Sequence, residues 1–113
     1  MAGSIANTTR RPHVWKPAAN HETARTILLL HGTGADERDL LSLGRALDPD
    51  ANLLSPRGLV VAEGMSRFFL RYPDGSFDEA GIRKNAHELA DFLASASFEY
   101  GFDDSKVWAA GFS

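Results

Sequence analysis

At 113 residues, 43% of them hydrophobic and 24% charged, the chain has the makings of one small soluble globular domain. Its net charge of -3 comes from 12 basic and 15 acidic residues with the signs interspersed, so no basic patch invites nucleic acid or anionic lipid. Cysteine is absent, which excludes disulfides, thiolate metal sites and a cysteine nucleophile.

Residues 1–11 are polar and aperiodic and read as a disordered leader, with residues 12–113 as a single α/β unit. The first residues lack the apolar stretch of a signal peptide, and no apolar run is long enough to span a bilayer. A cytoplasmic protein with no membrane partner is therefore expected. His13, Val14 and Trp15, bounded by Pro12 and Pro17, fit a short edge strand. Residues 18–25 form a polar turn. Thr26–Leu30 is a continuous apolar, β-branched run, the pattern of a parallel strand buried on both faces. Gly32-Thr33-Gly34 breaks it. Asp36 is a plausible helix N-cap, and Leu40, Leu43 and Leu47 predict a helix over about 37–47. Pro49 stops it. Asn52, Leu53 and Leu54 make a second strand, closed by Ser55-Pro56-Arg57-Gly58. Residues 58–77 have no clear period; Phe68, Phe69 and Leu70 read equally as a strand or a pocket-lining loop. Asp78 opens the clearest helix, with Ile82, Ala86, Leu89, Leu93, Ala96 and Tyr100 as its apolar stripe and Gly101 as a left-handed C-terminal cap. A turn over 103–106 leads to a last strand from Val107. Strand, helix, strand, helix, strand predicts an α/β fold with a mainly parallel sheet.

Two glycine turns follow two of these strands, and in such sheets ligands sit beyond the carboxyl ends of the strands. His31-Gly32-Thr33-Gly34 suits an oxyanion loop, where fixed backbone N–H groups meet the negative charge of a tetrahedral intermediate. A phosphate loop fits worse: Glu37 stands where G-x-G-x-x-G needs its last glycine, and its charge would repel phosphate. Gly111-Phe112-Ser113, directly after the last strand, matches the first three positions of the G-x-S-x-G nucleophile elbow. The acidic groups 36/37/39, 48/50 and 103/104 are explained as caps and turns, so neither metal nor cofactor is expected.

Taken in order, residues 27–41 (ILLLHGTGADERDLL), 54–58 (LSPRG), 67–71 (RFFLR), 77–79 (FDE) and 108–113 (WAAGFS) resemble the phospholipase/carboxylesterase family of α/β-hydrolases. The likeness is strongest to its bacterial carboxylesterase, dienelactone-hydrolase-like branch. It implies the N-terminal half of such a domain, ending at the nucleophile. Ser113 would be that nucleophile and the Thr33 backbone N–H an oxyanion donor. His31, Gly32 and Gly34 would shape the substrate loop, and Arg57, Phe68 and Phe69 would lie near the acyl pocket. The implied reaction is hydrolysis of small esters or thioesters through an acyl-serine, without a cofactor. In this fold the triad Asp and His follow the serine in the chain. None of the four histidines is placed to replace them: His31 belongs to the loop, His87 to a helix surface, His13 to an edge and His21 to a turn. The 113 residues alone are thus expected to be inactive. An uncovered Val107 strand would make them unstable, homodimeric or dependent on a partner half. The alternative is a non-catalytic binding or assembly module.

Overall fold

The computed structural model describes residues 11–62, 64–68, 72, 74–76 and 78–111. Residues 1–10 of the expected leader lie outside that set. Its last residue, Arg11, is buried, with its guanidinium 5.6 Å from the centroid of the Phe92 ring.

A four-stranded sheet forms the centre. In chain order it uses β1 (His13–Lys16), β2 (Thr26–Leu30), β3 (Asn52–Pro56) and β6 (Val107–Gly111), arranged β1-β3-β2-β6. Strands β2, β3 and β6 are parallel; β1 alone is antiparallel, running against β3 at the outer edge. Two helices flank the sheet, α1 (Leu41–Leu47) and α2 (Glu79–Tyr100). A separate hairpin pairs β4 (Val60–Ala62) with β5 (Met65–Arg67), filling part of the stretch for which the sequence has no clear period.

The apolar run of β2 fails to alternate because both of its faces are covered. Ile27 and Leu29 point to one side, with Leu40, Ala51 and Leu53. Leu28 points to the other, with Leu54, Phe92, Ala96 and Phe102. Leu29, Leu53, Leu54 and Phe92 are at most 1% exposed. Burying each such side chain stabilises the fold by about 2 kcal/mol. Among the described residues β6 pairs with β2 on one side and with no strand on the other, and Trp108 on this margin is 64% exposed.

The loop before β2 is fixed by one polar side chain. Asn52, fully buried at the start of β3, accepts the Ala18 N–H at 2.7 Å. It donates to the His21 carbonyl at 2.9 Å and to Thr26 Oγ1 at 3.1 Å.

Helix α2 is capped at both ends as its sequence requires. Asp78 accepts the Gly81 N–H at 3.1 Å. Gly101, at φ 75°, closes the last turn by donating to the Ser97 carbonyl at 2.9 Å. Two sequence expectations are corrected. The stripe packs only in its later part: Leu89, Leu93, Ala96 and Tyr100 are half-buried or buried, whereas Ile82 and Ala86 are exposed, and Asn85, Phe92 and Ser95 beside it are buried as well. The helix lies over the β1–β3–β2 side of the sheet chiefly through its C-terminal half, so the first turns need no apolar face. Helix α1 begins at Leu41 instead of residue 37, without a side-chain cap. Asp36 instead accepts the Arg38 N–H on its side chain at 2.8 Å and the Asp39 N–H on its carbonyl at 3.2 Å, a local turn ahead of the helix, and the Glu37 side chain reaches Arg57.

Candidate active site

The parallel register of β2 and β6 aligns Leu30 with Gly111. The loop starting at His31 and the segment entering Phe112 and Ser113 therefore leave adjacent strands at the same level and the same end of the sheet. Ser113 itself, with Phe112 and Phe69, lies outside the described residues.

His31 is 3% exposed and both ring nitrogens are engaged. Nδ1 lies 2.8 Å from the Gly32 carbonyl oxygen, and Nε2 lies 2.9 Å from the Gly58 nitrogen. A carbonyl can only accept and a backbone N–H can only donate, so His31 is neutral with its proton on Nδ1. The ring also leans on Phe68, centroids 4.9 Å apart, which puts the half-buried Phe68 beside the loop.

The rest of the loop is tied down at short intervals. Gly32 O also accepts the Ala35 N–H at 3.1 Å. Gly34, at φ 83°, donates to the Ser66 carbonyl at 3.0 Å, joining the loop to β5. Thr33, between these anchored residues, is exposed, and its N–H has no partner among the described residues.

Arg57 is turned onto Glu37. Its Nε donates to Oε1 and its Nη2 to Oε2, each at 2.8 Å, in a two-bond fork. The Glu37 side chain is 10% exposed and that of Arg57 42%. Hydrogen bonding from Arg57 holds the Glu37 carboxyl down to about 2. The backbone N–H of Arg57 reaches the Pro12 carbonyl at 2.8 Å, so β1 also braces this corner. Gly58 has no room for a side chain: a Cβ there would sit 2.5 Å from the backbone carbonyl of Arg67. Glu37 and Gly58 are the residues that sequence reasoning missed. The only signal for Glu37 was an acidic residue inside a supposed glycine loop, which argued against phosphate without naming its partner.

The remaining histidines sit elsewhere. His13 bonds the Arg11 carbonyl and the Tyr100 hydroxyl, His21 precedes β2 at the opposite end of the sheet, and His87 is exposed on α2. Asp48 and Asp103 each accept a backbone N–H two residues on, and among the described residues no three His, Asp or Glu side chains could hold a metal ion. No helix among these residues is long and apolar enough to cross a membrane.

No protein-family model matches the chain. It is 51% identical over 87 residues to the "Putative hydrolase MhqD" of Bacillus subtilis (strain 168), a match that covers 77% of this chain and 44% of that protein. The crystal structure of the Bacillus cereus carboxylesterase superposes with a TM-score of 0.86 at 38% identity, over 98% of this chain and 52% of that one. A carboxylesterase from Mesorhizobium loti superposes with a TM-score of 0.72 at 30% identity, over 78% of this chain and 42% of that one. The chain thus spans about half the length of these relatives. In sequence and in fold over that half, the chain belongs with the bacterial carboxylesterases of the α/β-hydrolase fold.

Proposed function

We propose that this segment supplies the nucleophile and the oxyanion loop of a serine carboxylesterase or thioesterase acting on small esters. The observation that supports the reading is the Leu30–Gly111 register, which sets the start of the His31 loop and the end of β6, two residues before Ser113 in the sequence, at one end of adjacent strands. In this mechanism Ser113 Oγ adds to the ester carbonyl and yields its proton to a general base. The Thr33 N–H meets the new oxyanion. Collapse expels the alcohol or thiol, which takes up that proton, and water then releases the acid from the acyl-serine. Phe68 would border the acyl group.

His31 does not serve as the base, because its Nε2 lone pair already accepts the Gly58 N–H. His13, paired with Pro56, is at this end of the sheet but on the far margin, two strands from β2, with its ring held by the Arg11 carbonyl and the Tyr100 hydroxyl; His21 is at the opposite end and His87 is exposed on α2. The base is therefore to be sought outside these 113 residues, and the chain alone should not hydrolyse esters.

Fluorophosphonate labelling of the native source, read by mass spectrometry of the Ser113 peptide, tests this. Label on Ser113 within a longer product, and none on the 113-residue chain, is the expected result. No label on Ser113 in any product would end the serine-esterase reading. Label on the chain alone would refute its inactivity.

A further inference from the structure

We infer that Glu37 and Arg57 are positioning residues for the oxyanion loop, holding Thr33 in place through Gly58 and His31. This rests on the reading of the Thr33 N–H as an oxyanion donor. The loop over 31–37 is anchored at three points: His31 to the Gly58 N–H, Gly34 to the Ser66 carbonyl, and Glu37 to the Arg57 guanidinium. The first and third anchors reach the same short stretch, Arg57 and Gly58, from opposite ends of the loop. They act as two rungs between two backbones. The rung at Glu37 is charged, its carboxylate side nearly enclosed and its guanidinium side open to solvent, and it is bonded through both carboxylate oxygens, which fixes direction as well as distance. Between the rungs, Thr33 is exposed, lies three residues beyond the end of β2 and has an N–H unpartnered among the described residues; Asp36 shares the exposure and the unpartnered N–H but lies further from the strand. An oxyanion donor works by not having to move during reaction, so stiffness of this loop is a catalytic property.

Amide hydrogen exchange on the 113-residue chain reads the loop without relying on activity. In Glu37→Gln, exchange at Gly34 and Gly58 should quicken about tenfold, while Leu29 and Leu53 in the sheet keep their rates. Arg57→Lys, which keeps the charge but loses the fork, should fall between wild type and Glu37→Gln. Unchanged exchange at Gly34 and Gly58 overturns the inference. A uniform rise that includes Leu29 and Leu53 also overturns it, since that is general destabilisation. The catalytic half is read in the longer product, as the rate of Ser113 phosphonylation at a temperature where both proteins are fully folded. Glu37→Gln should slow it at least tenfold, and an equal rate overturns the inference. If wild-type Ser113 never reacts while the exchange result holds, the esterase reading has failed and takes the catalytic role of the pair with it; the pair's grip on the loop is then not what was at fault.

Discussion

Asn52 and Glu37 show how single buried polar side chains fix backbone that has no regular structure. Asn52 satisfies three partners from two segments. Asn52→Ala would strand the Ala18 N–H and the His21 carbonyl. It should destabilise the chain by about 3 kcal/mol, seen as a lower urea midpoint at constant slope. Gly58→Ala should be harmful for steric reasons, because its Cβ would press on the Arg67 carbonyl. About 2 kcal/mol is expected, together with loss of the His31 bond, visible as a change in the His31 ring nitrogen resonances. Glu37 makes stability depend on pH in a defined window. Its folded value, about 2, lies below the unfolded carboxylate value, so the ionised form favours the fold. That contribution is complete above roughly pH 5, shrinks as the unfolded chain takes up its proton near pH 4, and is gone once pH falls through about 2. Urea midpoints of wild type and Glu37→Gln should therefore differ by a constant amount above pH 5 and converge towards pH 2. A gap that persists at pH 2 would mean the carboxylate's charge is not what stabilises.

At the scale of elements, the caps and the covered faces carry the argument. Gly101 holds a left-handed angle with only His21 Nε2 as near as 4.0 Å to a hypothetical Cβ, so space is not the constraint there. Gly101→Ala should lose about 1 kcal/mol from backbone strain alone, checked by thermal unfolding. This cap, the buried strands β2 and β3 and the glycine turn after β2 were legible from the sequence, since each depends on local chemistry or on a run of apolar residues. What was not legible depends on distant partners. Helix α1 starts late, after a turn in which Asp36 accepts the Arg38 and Asp39 N–H groups and from which Glu37 reaches Arg57, twenty residues away. The α2 stripe packs only from Leu89 onward, with Phe92 and Asn85 buried beside it, because the helix covers the sheet unevenly, which periodicity cannot register. The β4–β5 hairpin has strands of three residues, too short to show alternation. Around the candidate site, the loop at His31 and Arg57 could be singled out from motif order, and Ser113 lies outside the described residues. That Arg57 grips Glu37, and that His31 is held at both nitrogens, required the fold.

For the whole molecule, the two margins of the sheet differ in kind. The β1 margin is short, ends in Lys16 and lies between Pro12 and Pro17. The β6 margin, Val107–Gly111, has no charge and no proline, with Trp108 and Ala109 exposed. Strand addition is blunted at the first and open at the second. Sedimentation velocity of the 113-residue chain should show concentration-dependent association, and Trp108→Lys, which adds a charge without touching the ladder to β2, should abolish it. The asymmetry also sets a valence. A strand that can be joined on one side of the sheet only is a monofunctional unit. Two such chains meeting edge to edge consume both reactive ends, so association by this route terminates at the pair instead of propagating into a fibre.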